Sequence, residues 1–138
     1  MLRCCVDKEI DLCLIKGEGT INIDDVESVI YQGINAPAWH PKQNVLIDNR
    51  DITHTLPYSD FSKVVHLVRA ANLETNTKHA ILVGNGFFAA VAKLWQAFSS
   101  SLALNYMIFT EVSDACAWLN VDIASVEETL TNMKNHSC

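Results

Sequence analysis

Seven side chains suited to acid-base, nucleophilic or anion-binding chemistry crowd into one short stretch: Asp48, Arg50, Asp51, Thr53, His54, Thr55 and Ser59. A carboxylate near an imidazole can move a proton. Hydroxyls can carry a phosphoryl group, and Arg50 with Lys63 can hold the charge that such a group adds. The stretch follows Asn44-Val45-Leu46-Ile47-Asp48, an apolar run bounded by polar residues, which is the pattern of a strand buried on both faces of a sheet. Ligands of open α/β sheets gather where loops leave the carboxyl ends of the strands, so residues 49–58 are expected to form a loop at a functional edge. Within it His54 is the residue placed to act as a general base, while Ser59 serves equally well as the N-cap of a helix starting near Pro57.

Other patterns carry weaker chemistry. Gly84-Asn85-Gly86-Phe87-Phe88-Ala89 matches the G-x-G-x-x-A dinucleotide fingerprint after a strand, with Glu111 as a ribose partner after the next strand. Phe87 and Phe88 would crowd a pyrophosphate there, and too little chain follows for a nucleotide-binding half. Asp48 sits where a receiver-type domain keeps its phosphoacceptor, but Lys16-Gly17-Glu18 offers no acidic pair for magnesium and Phe109-Thr110-Glu111 no lysine. The five histidines are dispersed, and the five cysteines include no C-x-x-C pair. Reduced structural thiols, no metal and no cofactor are the expectation. The helix after Gly86 is different in kind: Phe87, Phe88, Val91, Leu94, Trp95 and Phe98 cover more of its circumference than one core-facing stripe needs, and Phe87, Phe88 and Trp95 stand out among them. They are candidates for an apolar ligand site, a dimer interface or peripheral membrane contact.

Composition narrows the class. A chain of 138 residues, 49% hydrophobic, is long enough for one domain with a sizeable core. A net charge of -6 and scattered Lys and Arg exclude a basic stripe for nucleic acid. No apolar run approaches the roughly 20 residues that span a bilayer, and the start has no signal-peptide core, so a cytoplasmic protein is expected.

The elements that must position these residues follow from periodicity. Arg3–Val6 and Leu12–Ile15 read as a hairpin, broken by Gly17-Glu18-Gly19-Thr20. Asn22 with Asp25 reads as an N-cap opening a helix whose Val26, Val29 and Ile30 share a face and whose C-cap is Gly33. Pro37 to Pro41 forms a stiff crossover into the central strand. A second helix carries Phe61, Val64, Val65, Val68 and Ala71 inward, with Lys63, His66 and Arg69 outward. A strand at Ala80–Val83, the aromatic helix to about Ser99, a strand at Asn105–Phe109 and a short helix follow. A terminal helix over about 125–135 starts at a Ser125/Glu128 capping box. The order predicts one α/β domain over 1–138, its core within about 1–120. Its mixed five-stranded sheet has the first strand antiparallel and the rest parallel, with four to five helices.

In this order, and in Gly19 before the first helix, Val45-Leu46-Ile47-Asp48, and Ile108-Phe109-Thr110 with Ala115, Trp118 and Leu119, the chain resembles the STAS-like domains. These include anti-sigma-factor antagonists and the cytoplasmic tails of sulphate transporters, and the likeness is to their small stand-alone bacterial relatives, over about Met1 to Asn120. The resemblance implies a non-catalytic regulatory or binding module whose loop and helix after the third strand meet a protein partner. In the antagonists that loop carries a phosphorylated serine in an Asp-Ser-x-Gly context. Here Ser59 precedes Asp60 and no glycine follows in place. Two readings stand: binding of a protein partner or a small apolar ligand, with a homodimer compatible with either. The alternative is a small enzyme or nucleotide-binding protein using His54 and Asp48 or the Gly84–Gly86 turn.

Overall fold

The charged Asp7-Lys8-Glu9 and Asp11, which takes a left-handed φ of 51°, turn the chain back on itself. Strands β1 (Leu2–Asp7) and β2 (Leu12–Thr20) therefore pair antiparallel, with Leu2 opposite Gly17 and Asp7 opposite Leu12. The computed structural model describes residues 1–73, 77–84, 86–98, 100–102, 104–134 and 138, the side chains of 87–89, 91, 94, 98 and 101 excepted. Instead of breaking at Gly17, β2 runs on to Thr20. Register shifts between Lys16 and Glu18 and between Gly19 and Thr20 let it follow its neighbour, and Gly19 takes a φ of 63° that glycine tolerates without strain.

Helix α1 (Ile23–Ile34) opens on the expected capping box. Asn22 Oδ1 accepts from the Asp25 N–H and the Asp25 carboxylate accepts from the Asn22 N–H, each at 3.0 Å. Gly33 is not its left-handed cap: the helix passes through it to Asn35, whose φ is -97°. A Cβ at Gly33 would meet Cys4 Sγ at 3.6 Å, an ordinary van der Waals contact that places this turn of the helix against β1.

Strand β3 (Asn44–His54) is twice the length of its apolar run. The polar stretch expected as a loop is paired strand: Asp51 lies opposite Glu18, Ile52 opposite Gly19 and His54 opposite Thr20. Parallel pairing to the extended β2 overrides the polar composition. A 3-10 turn at Tyr58–Asp60 leads to α2 (Phe61–Ala70), so Ser59 lies inside that turn and is not the helix cap. The remaining elements are β4 (Lys78–Leu82), α3 (Gly86–Phe98), β5 (Asn105–Phe109), α4 (Val112–Leu119) and α5 (Ile123–Asn132). The cap of α5 is Asp122, which accepts from Ser125 N–H at 3.0 Å and from Ser125 Oγ at 2.8 Å, so the helix starts earlier than Ser125.

The five strands lie in chain order, β1 antiparallel to β2 and the rest parallel, as the sequence predicts. Right-handed crossovers between neighbouring parallel strands carry α1, α2 and α3 to one face of the sheet. On the other face α4 and α5 pack Ala115, Cys116, Leu119, Val126 and Leu130 over Leu12, Leu14, Leu46, Ala80 and Leu82. Cys5, in that second layer, is disulfide-bonded to Cys138. This corrects the expectation of reduced thiols throughout. A separation of 133 residues leaves no local spacing to reveal the pair. Cys4, Cys13 and Cys116 are buried outside that disulfide, with Cys4 Sγ 3.8 Å from Cys13 Sγ.

The central strand is not sealed equally on both sides. Leu46, facing α4 and α5, is 0% exposed, whereas Ile47, facing α1–α3, is half-buried. Leu46→Ala should therefore cost about 2 to 5 kcal/mol in chemical denaturation. Ile47→Ala should cost clearly less, because its methyl groups already border open space.

Candidate functional site

Along β3 alternate side chains go to opposite faces, so the residues grouped by sequence separate in space. Asp48 points into the α4/α5 layer opposite Lys16 of β2. Both are buried, Asp48 at 0% and Lys16 at 3% exposure. The Asp48 carboxylate accepts from Arg50 Nε and Nη2, each at 2.9 Å, from the Arg50 N–H at 3.1 Å and from Lys16 Nζ at 3.3 Å. Lys16 Nζ also donates to Asp51 at 2.9 Å. Burial alone would raise the Asp48 carboxyl. Hydrogen bonds from the Arg50 side chain and main chain, with the charges of Lys16 and Arg50, more than offset it and hold the pKa below the ordinary 3.8. With its oxygens filled by four donors, Asp48 is a structural anion. It has no lone pair spare for a general base or a phosphoacceptor. Lys16 is the partner that sequence reading missed, though a signal existed: it ends the apolar run Leu12–Ile15 as Asp48 ends Val45–Ile47, and parallel strands align such ends.

The other candidates scatter. His54 is exposed at the end of β3, with Nδ1 3.2 Å from Thr53 Oγ1 and 3.5 Å from Thr20 Oγ1. Asp51, the nearby carboxylate in sequence, is committed to Lys16. Ser59 is exposed, and Lys63 pairs with Asp60 at 3.6 Å rather than with Arg50's network. Gly84 is explained by packing: a Cβ there would lie 3.1 Å from the Arg50 carbonyl oxygen. Asn85 of the fingerprint, and the side chains of Phe87 and Phe88, lie outside the described residues. Among the described residues no group of three or more His, Cys, Asp or Glu could hold a metal, and no helix is long and apolar enough to cross a membrane.

The opposite face of the sheet holds a cavity of about 230 Å³. Its floor is the alternate set of strand residues, Cys13 and Ile15, Val45 and Ile47, His79 and Ile81, and Tyr106. Its roof is built from Val29 and Ile30 of α1, Phe61, Val64 and Val68 of α2, and Ala92 and Trp95 of α3. Trp95 stands edge-on to Phe61 and to Tyr106, at centroid distances of 5.9 and 6.0 Å and near-perpendicular planes. Of the sequence candidates, Thr55 and Trp95 border this space. Asp48 does not.

His79 is, with Cys13, a buried titratable group on the cavity floor, packed against Tyr106 with ring centroids 4.9 Å apart. Burial pushes its pKa down from 6.5 to about 4 and pushes the Tyr106 phenol up. It drew no attention in the sequence because a lone histidine in an apolar strand has no motif.

No protein-family model matches this chain, and no curated protein matches it by sequence. Its architecture is the SpoIIAA-like, or STAS-like, α/β fold. The chain is similar in structure to an uncharacterised protein of the DUF3478 family with a SpoIIAA-like fold from Shewanella loihica PV-4. The TM-score is 0.59 and the identity 18%, over 86% of this chain and 93% of that one.

Two measurements test this geometry. Asp48→Ala should cost about 3 kcal/mol or more, because it strips the carboxylate from the buried Lys16, while Lys63→Ala should change stability by no more than about 0.5 kcal/mol. The second is pH dependence. The unfolded chain takes up a proton on His79 below its pKa of 6.5, and the folded chain refuses it until about 4. Stability should therefore fall as pH is lowered through that window, and His79→Phe should flatten this part of the profile in urea titrations. The Asp48 contribution is lost only below 3.8, so the two effects separate.

Proposed function

We propose that this chain is a non-catalytic binding module that takes an apolar small molecule into the cavity between the sheet and α1–α3. The observation that carries the reading is the cavity itself, about 230 Å³ inside a layer where side chains normally close-pack. An apolar cavity of about 150 Å³ already binds benzene in another protein, so a space of this size is adequate for a larger apolar guest. The lining is almost wholly aliphatic and aromatic, with Asn49, Thr55, His79 and Tyr106 as a few polar points that can orient a guest, the usual composition of a small-molecule site. Against an enzyme stands the dispersal of the titratable groups: Asp48 is saturated by its own donors and His54 has threonines for neighbours.

A protein-binding edge is compatible with the same fold. Thr53, His54, Tyr58 and Ser59 are exposed where β3 hands over to α2, which supports partner docking there.

The test uses 1-aminoanthracene, a neutral fluorophore that brightens in apolar surroundings. It should bind the purified chain with one-to-one stoichiometry and a negative heat-capacity change. Ile47→Phe, which projects a larger ring from the cavity floor, should weaken binding at least tenfold while circular dichroism stays unchanged. Saturable binding that Ile47→Phe leaves intact, or no binding by the parent chain, would overturn the reading.

A further inference from the structure

The polar points in the cavity narrow the class of guest, an inference that rests on the apolar-ligand reading above. His79 and Tyr106 are cross-strand neighbours on β4 and β5, and both line the cavity. His79 Nε2 lies 3.2 Å from Thr77 Oγ1. Its Nδ1, and the hydroxyl of Tyr106, have no hydrogen-bond partner among the described residues. His79 is 5% exposed and lines the cavity, so the little surface it keeps borders that space. Enclosed polar groups are usually bonded to protein or ordered water, so two open ones beside a cavity are a place where a ligand's polar group can bond.

The charges on the lining decide what such a ligand can be. No Lys, Arg, Asp or Glu is among the described residues that line the cavity. Its ionisable groups are Cys13, whose thiol is held protonated by its contact with Cys4 and by burial, and the His79–Tyr106 pair. An ionised head would therefore enter an apolar space without a counter-charge, at a large desolvation cost. A neutral head meets no such penalty. The lining also runs from Tyr106 on β5 across Ile81, Ile47 and Ile15 on three further strands, spaced by about 4.8 Å each, to Val29 on α1. That is an apolar track with His79 and Tyr106 at one end, bordered also by Asn49 of β3 and Thr55 just after it.

We propose that the cavity takes a neutral amphiphile, its hydroxyl head hydrogen-bonded to His79 Nδ1 and the Tyr106 hydroxyl, and its hydrocarbon body laid along β4, β3 and β2 toward α1. A hydroxyl suits this pair because it both donates and accepts. Whichever imidazole nitrogen carries the proton, the head can complete the bond and offer its other capacity to Tyr106. Burial keeps His79 neutral at pH 7, so it supplies no cation to favour a carboxylate over an alcohol.

The experiment is displacement of 1-aminoanthracene at pH 7.5 by three probes of like length: 1-octanol, its methyl ether and octanoate. Octanol should displace the dye at least tenfold more effectively than either of the others. His79→Phe and, independently, the near-isosteric Tyr106→Phe should each reduce the octanol-to-ether ratio at least threefold, in variants whose circular dichroism matches the parent. Equal displacement by octanol and its ether, or preference for octanoate, would overturn the proposal in the parent chain without recourse to a variant. So would ratios that neither substitution alters. In all those outcomes the dye still binds and the apolar-ligand reading stands. Failure of the dye to bind at all removes that reading and this one together.

Discussion

Parallel strands in chain order leave the connecting helices no choice of side. Each right-handed crossover from β2 to β3, β3 to β4 and β4 to β5 places its helix on the same face, so α1, α2 and α3 crowd together. Helices pack at about 8 to 10 Å between axes, whereas neighbouring strands are about 4.8 Å apart. Three helices thus need a broader floor than the strands they connect provide. The outer two overhang, α1 reaching β1 and α3 standing over β5. A layer laid out in this way contacts its neighbours side by side more readily than it seats every side chain on the sheet. The cavity occupies the space that results.

The other face has the opposite character. The short helices α4 and α5 follow the last strand and are free to settle where apolar surface is richest, over Leu12, Leu14, Leu46 and Leu82. The closed core they make extends to the middle of β2 and β3, where Lys16 and Asp48 are drawn in with it. Two such charges inside a fold require dense pairing, and the bidentate Arg50, its main-chain N–H and Asp51 complete it. The same strand therefore contributes a saturated ion network to one layer and apolar side chains of the cavity lining to the other. The alternation of β3 separates Asp48 from Ile47 by a single peptide.

This separation changes what the STAS-like architecture means in this chain. The segment after Asp48, where the resemblance places a phosphorylated switch, is strand as far as His54, and Ser59 sits in a 3-10 turn outside any helix cap. The cavity lies under α1–α3, away from the polar cluster around Asp48. A fold fixes where elements sit, and function depends on what particular side chains then face. Here the facing side chains are hydrocarbon, with an imidazole and a phenol among them.

Local pattern was sufficient wherever a residue's neighbours in sequence decide its state. The capping box of Asn22 and Asp25, the inward stripe of α2 and the bounds of β5 follow from contacts within a turn or an alternation within a strand, and all were readable from the chain. So was the fold class, because the order of elements and the handedness of crossovers permit few topologies. What needed the tertiary structure was everything set by pairing between distant segments. The register of β2 on β3 turned a polar loop into strand and brought Lys16 to Asp48. A separation of 133 residues hid the bond between Cys5 and Cys138. His79 joined Tyr106 and Trp95 around the cavity only when β5 set Tyr106 beside it. A cavity has no sequence signature, because it is space that three helices from separate parts of the chain fail to fill.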